Sequence, residues 1–592
     1  MTPPTKALAK PRRLTVSLLL GMTLAGGACS SGAVCFDLDG DGFCPPDDCD
    51  EYDSDVVLCS DIAQPTPTET PATPTPSPTP GSWLEAGSTV NVSELADKIT
   101  AEKDGVSLGS DIAPMGDVNG DGYADLLIGS YTWFSSEASD AEGAAYLVYG
   151  PIDGEVSLAA LVEAGSVCRW RGRLQTGGLG YSVAAVDVDG DGHKDAVIGE
   201  PSVLDATELE TGAVHIMLGP FLGEGLDLTT DDADISISGA GSVDLAGFSV
   251  ASAGDVDSNG FEDLLVGAPG RGDSVFGNDG TVYLIAGPMD PTDWLGAETL
   301  SEATTRFLGS DGEAAGYDVA SAGDVNGDNI DDILIAAWRH DNSTGAPADS
   351  PAAGAAYLIF GPPPLGDVAL TDVGTTVPGA RFVGGNAADY AGRSVAGVGD
   401  LNADGFDDIL IGSDGDDYFA INSDEGSAFI VMGSDELSGV INLEHPSDPH
   451  TLLKLINESP DGQTGWSVGA AGDINNDGFA DLLVGAPHED LEFSSGESLE
   501  NREYGGAYLI YGNEDGRWGD GFLDDIGARF SGRKSYDALG YRVNGAGDLN
   551  NDGVDDFAFT SMTGREKGGG WQGFVSWDGA VFVAHGQSET AQ

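Results

Sequence analysis

The chain has 592 residues, with 99 acidic against 24 basic side chains and a formal net charge of -75. That balance excludes nucleic acid and anionic membrane as partners, since both repel such a surface. Glycine at 89 positions, with 40% apolar residues, suits many short strands joined by tight turns.

Residues 1–28 read as an export signal: Lys6, Lys10, Arg12 and Arg13 precede an apolar run, Leu14 to Ala25, too short to span a bilayer. Arg12-Arg13 sits in a poor twin-arginine context. Gly26-Gly27-Ala28-Cys29 resembles a bacterial lipoprotein cleavage site, which implies a lipidated Cys29; ordinary cleavage near Ala28 is the alternative, with secretion in place of an outer-membrane or surface anchor. Residues 29–63 carry Cys35, Cys44, Cys49 and Cys59, an even set in an exported segment, so two disulfides in any of three connectivities are expected. Asp37-Leu38-Asp39-Gly40-Asp41-Gly42 lies among them and resembles an aspartate- and cysteine-rich metal-binding motif, against a plain acidic spacer. Residues 64–82, rich in Pro and Thr, form an extended linker reaching ~50 Å.

From residue 83 to 592 one unit repeats. Its centre is a nine-residue loop that begins at Asp117, Asp187, Asp255, Asp324, Asp400, Asp473 and Asp548, at spacings of 70, 68, 69, 76, 73 and 75 residues. Oxygen-bearing side chains stand at positions one, three, five and nine, and a turn residue at six. A hard cation such as Ca²⁺ needs that donor set, with a main-chain carbonyl from position seven. The first loop offers Asp117, Asn119, Asp121, Tyr123 and Asp125. The second offers Asp187, Asp189, Asp191, His193 and Asp195, the most acidic set. The third offers Asp255, Asp257, Asn259, Phe261 and Asp263. The fourth offers Asp324, Asn326, Asp328, Ile330 and Asp332, with Asn329 where glycine is expected. Then come Asp400, Asn402, Asp404, Phe406 and Asp408; Asp473, Asn475, Asp477, Phe479 and Asp481; and Asp548, Asn550, Asp552, Val554 and Asp556. An EF-hand is excluded: Gly247–Gly254 and Leu264–Pro269 flank the third loop as strands, and Val266 stands where glutamate would be needed. A metal-free Asp/Asn/Gly turn is the bland alternative.

The flanks repeat as well. A small-residue strand precedes each loop, as in Ser394-Val395-Ala396-Gly397, and an apolar one follows, as in Leu126-Leu127-Ile128. A third alternates, as in Ala356-Tyr357-Leu358-Ile359-Phe360, and a fourth carries one large residue: Ile99, Trp170, Ile237, Phe307, Phe382, Leu455 or Phe530. Ala246-Gly247-Phe248-Ser249-Val250, the loop, and Val266-Gly267-Ala268-Pro269 resemble the FG-GAP repeat of integrin alpha subunits, over roughly Ala96 to Gly586. The resemblance implies an all-β, seven-bladed β-propeller of four-stranded blades with calcium-binding hairpins. The first fourth-strand copy, Ile99-Thr100-Ala101-Glu102, precedes the first loop, while Gly579–Gly586 reads as a third strand. The N-terminal segment is therefore expected to complete the last blade. The alternative takes Trp571–Val575 as the third strand and Val581 onward as the fourth.

Gly465-Trp466-Ser467-Val468-Gly469 has the Gly-x-Ser-x-Gly spacing of hydrolases, but a nucleophile elbow needs a helix next, and here a metal loop follows. Arg271-Gly272-Asp273 is a tripeptide that composition alone would produce, and Cys168 reads as a buried filler. The seven histidines show no triad or ligand spacing. The resemblance implies a monomeric, non-enzymatic, calcium-binding recognition or adhesion module. Its partner would be an extracellular protein or glycan, bound on the face opposite the calcium hairpins. A propeller-based hydrolase or lyase and a purely structural surface protein are the alternatives.

Overall fold

The structure is a computed structural model, described between residues 87 and 587. Not described within that span are 93–94, 96, 104, 136–140, 174–175, 204–209, 224, 242, 271–278, 290–297, 311, 342–351, 417–424, 445–451, 458, 460, 491–503, 519–520, 533–536 and 563–578. The export signal, the Asp/Cys-rich segment, the linker, Arg271-Gly272-Asp273 and Trp571–Val575 all lie outside the described residues. The chain divides into units 1–77 and 78–592, and the description concerns the second.

Seven sheets form, each around an antiparallel set of strands from one repeat. In the third blade Ser249–Gly254 pairs with Asp263–Ala268, then Thr281–Ile285, then Thr305–Leu308. The first strands of neighbouring blades touch in sequence order, and that of the seventh blade touches that of the first. The ring is closed, and the fold is a seven-bladed β-propeller. Small residues dominate the first strands because seven of them crowd one axis. The second strands are buried along their whole length, from Asp125–Ser130 in the first blade to Asp556–Ser561 in the seventh. A strand covered on both faces has no polar side, which is why these segments read as continuous apolar runs. The core lies between blades: Ile99, Val581 and Ala558 of the last blade pack with Leu126, Ile128 and Tyr146 of the first.

Closure follows the expected route. Lys98–Thr100 is the fourth strand of the seventh blade and pairs antiparallel with Ala580–Ala584, Ile99 opposite Val581 and Lys98 opposite Phe582. The strand count differs from four. Six of the seven sheets gain a fifth strand, paired in parallel with the fourth. It comes from the segment that links the third and fourth strands of the next blade, as with Asp227–Thr229 on Cys168–Arg171. Running this segment back over its neighbour covers an edge that would otherwise be open to other chains. The sixth blade takes its fifth strand, Thr89–Asn91, from the N-terminal side, so one stretch of chain closes two blades. In the fifth blade the described contact is one bridge, Ile456 to Phe522.

Candidate calcium hairpins and the axial face

The nine-residue loops join first and second strands, so all seven lie at one end of the ring. Within each, the first aspartate accepts main-chain N–H groups and so holds the turn. Asp117 takes those of Gly120, Asp121 and Gly122 at 2.7 to 3.0 Å. The bond from position six recurs in every copy. In the fourth loop Asn329 makes it, at 2.8 Å with φ +66°, so asparagine fills the left-handed position glycine holds elsewhere. The loop also needs a left-handed residue at position four. Gly120, Gly190 and Gly327 serve there, but so do Ser258, Ala403, Asn476 and Asn551, without the glycine that would mark it in sequence. Position-seven residues donate their N–H to the side chain at five, as Tyr123 does to Asp121 at 3.0 Å. His193, Phe261, Ile330, Phe406, Phe479 and Val554 repeat this.

The ninth position is the anchor. Asp125, Asp195, Asp263, Asp332, Asp408, Asp481 and Asp556 are all buried. Each accepts one N–H from position two of its own loop and one from the glycine that ends the third strand. For Asp125 the donors are Val118 at 3.0 Å and Gly150 at 2.9 Å. Burial pushes these carboxyls up, against those two bonds, and the other loop carboxylates push the same way: Asp125 and Asp263 to about 6, Asp195, Asp332 and Asp408 to about 7, Asp481 to about 8. Asp556 differs because His585 sits 2.9 Å from it and 3.0 Å from Asp97. Burial opposes the imidazolium, but hydrogen bonds to both carboxylates push His585 up to about 10.

This donor set fits a hard divalent cation. In the second and third loops oxygens of Asp187, Asp189 and Asp195, and of Asp255, Asp257 and Asp263, lie within 4.8 Å of one another. Asn550 Oδ1 in the seventh loop is buried with no hydrogen-bond partner among the described residues. Crowded carboxylates that burial and mutual repulsion drive toward protonation are what a cation relieves. Another acidic group, Asp389, Asp416 and Glu444, already has a cation: Lys454 Nζ lies 2.6 Å from Asp416 and 2.7 Å from Glu444.

At the opposite end, where first strands begin, the Gly-x-Ser segments meet around the axis. Ser467 Oγ accepts the N–H of Val543 in the next blade at 3.0 Å, and a strand follows it. Ser182, Ser249 and Ser394 likewise accept from Val250, Val319 and Val468. Asp111 and Asp318 do the same for Val183 and Val395. These residues are staples between blades. The seventh blade has Arg542 instead, whose Nε bonds the Ser110 carbonyl at 3.2 Å and faces Asp111 at 3.7 Å. They line an axial cavity of about 280 Å³. Around its mouth Tyr131, Tyr181, Phe248, Tyr317, Trp338 and Tyr390 stand with successive ring centroids 4.5 to 5.5 Å apart. Arg393 lies 3.9 Å from the Trp466 centroid and 4.8 Å from that of Tyr317.

Sequence reasoning missed a brace inside the blades, in which a buried or half-buried acid ties the third strand's tyrosine to a basic residue on the fourth. Tyr508 Oη donates to Glu489 at 2.7 Å and Arg529 pairs with Glu489 at 2.6 Å. Tyr146, Arg169 and Glu102 repeat it at 2.8 and 2.6 Å. Cys168 is buried and unbridged, with Tyr149 Oη 3.2 Å from its sulfur.

Comparison with known proteins agrees with this architecture. Residues 109–148, 179–217, 246–285 and 464–509 match the FG-GAP repeat. The chain is 27% identical over 259 residues to integrin alpha pat-2 of Caenorhabditis elegans, covering 42% of this chain and 18% of that protein. It is 30% identical over 251 residues to integrin alpha-7 of Rattus norvegicus, covering 39% and 18%. It is also 31% identical over 189 residues to the phosphatidylinositol-glycan-specific phospholipase D of Rattus norvegicus, covering 31% and 20%. The chain thus spans at most a fifth of the length of these relatives. Four of the seven blades thus match the FG-GAP repeat, and the propeller is similar in sequence to integrin alpha subunits.

Proposed function

We propose that this protein is a calcium-stabilised extracellular recognition module that binds a protein or glycan on the face opposite its calcium hairpins. The observation that carries the reading is the division of labour between the two ends of the ring. One end spends its loops on seven sets of cation donors. The other gathers partly exposed aromatic rings around the axis. Stacking aromatics give contact area to sugars and to protein side chains at low entropic cost. Calcium, where bound, neutralises carboxylates inside each hairpin and holds first and second strands in register. The FG-GAP match and the integrin alpha relatives favour adhesion over catalysis, and the Gly-x-Ser segments serve as staples, not nucleophiles. Export, an anchor at Cys29, the disulfide-bearing segment and the linker complete the reading as a head held away from a surface. Among the described residues no helix is long and apolar enough to cross a membrane.

The test is a glycan array together with binding to immobilised extracellular matrix proteins, with and without calcium. Calcium-dependent binding that Trp466→Ala weakens supports the proposal. Hydrolysis or elimination of an arrayed glycan, with no retained complex, would establish the enzyme alternative.

A further inference from the structure

The hairpins also touch one another around the ring, through the residue just before the ninth donor. Asp331, in the fourth loop, accepts the main-chain N–H of Asp255, the first donor of the third loop, at 2.7 Å. Asp407, in the fifth, does the same for Asp324 at 2.8 Å, and Asp555, in the seventh, for Asp473 at 3.4 Å. The preceding glycines make room: a Cβ on Gly254 would stand 2.1 Å from Asp331 Oδ2, and one on Gly323 2.2 Å from Asp407 Oδ2. Phe406 of the fifth loop also lies over Gly327 of the fourth, so adjacent loops form one continuous surface.

The other blades have no aspartate at this position. Ala480 and Ala124 stand there, and only their main-chain N–H groups reach Asp400 and Asp548, at 3.2 and 2.9 Å. Glu262 reaches the N–H of Asp187 at 3.2 Å, but Lys194 neutralises it at 2.5 Å.

We infer that Asp331, Asp407 and Asp555 are positioning residues shared between neighbouring calcium sites. This rests on the calcium reading of the loops. Each fixes the main chain at the first donor of the preceding loop and carries a negative charge where the donor sets of two loops adjoin. A carboxylate there would attract a cation held by either loop, at short range and away from full solvent screening. The seven sites are then unequal. The fourth, between Asp331 and Asp407, binds calcium more tightly than the fifth, sixth and seventh, each beside one such acid and one alanine.

Calcium titration of the full chain by calorimetry tests this with two kinds of variant. Asp331→Asn keeps the acceptor for the Asp255 N–H but removes the charge, and should weaken two sites on the order of tenfold. Ala480→Asp should do the reverse and tighten the fifth and sixth sites, facing Gly399 as Asp331 faces Gly254. Circular dichroism of each variant confirms that it folds. Should Asp331→Asn fail to fold, Ala480→Asp decides alone. Unchanged isotherms for the folded variants, with calcium bound by the parent chain, overturn the sharing and leave the calcium sites standing. A parent chain that takes up no calcium overturns both.

Discussion

Ring closure by the N-terminal segment is open to a direct mutational test at Ile99. Its side chain is fully buried, packed in one cluster with Val581 and Val583 of the last blade and Leu126 and Ile128 of the first. Ile99→Ala removes three carbons from a site where rigid strands on either side cannot collapse inward. Buried isoleucine-to-alanine changes cost about 2–5 kcal/mol, and this one should fall in the upper half of that range. The loss bears on the junction between an N-terminal strand and the last blade, so its effect should be cooperative. Urea unfolding followed by tryptophan fluorescence should show a lower midpoint for Ile99→Ala. Val440→Ala, at a site 51% exposed on a fifth strand, should stay within about 0.5 kcal/mol of the parent. Equal midpoints for Ile99→Ala and the parent would refute closure through Lys98–Thr100.

Other outcomes follow from the same geometry. Arg529→Ala leaves Glu489 buried beside Tyr508 without its cation and should cost about 3–5 kcal/mol in the same urea assay, whereas an exposed ion pair would cost under about 1. Six of the seven ninth-position carboxyls have folded pKa values raised to about 6–8, above their ordinary range near 3.8, so the metal-free fold binds more protons than the unfolded chain between those limits. Metal-stripped protein should therefore melt higher at pH 5.5 than at pH 8, and the gain on adding calcium should be larger at pH 8, where fewer protons compete. A melting temperature independent of pH in stripped protein would contradict this. His585, raised to about 10, contributes stability that is fully present below its unfolded value and is lost as pH rises from there through the folded pKa. His585→Gln should thus flatten the alkaline limb of the stability profile.

How much of this was legible in the sequence depended on how each element carries its signal. The seven loops were readable because their donors and turn residues fall at fixed offsets within nine positions. The fourth strands were found from one large residue each, and Ile99, Trp170, Ile237, Phe307, Phe382, Leu455 and Phe530 are all buried to within 1%. The fifth strands left no trace: Asp227-Leu228-Thr229 is short and mostly polar, and its partner lies on another blade. The braces escaped because Glu102 meets Tyr146 and Arg169 across 44 and 67 residues of chain. Ser258 and Ala403 hid the left-handed fourth position, which the surrounding hydrogen bonds impose on residues that do not favour it. The serine of Gly465-Trp466-Ser467-Val468-Gly469 could be set aside as a nucleophile from sequence. Its role as a staple needed the neighbouring blade.

The measurement that bears most directly on the central claim is calcium stoichiometry with its effect on unfolding. Protein stripped of metal, then dialysed against calcium and assayed by atomic absorption, should hold close to one ion for each of the seven hairpins. Its melting temperature should fall by many degrees in excess chelator and return when calcium is restored. Less than one bound ion per chain, with the same melting curve in chelator and in calcium, would contradict the account.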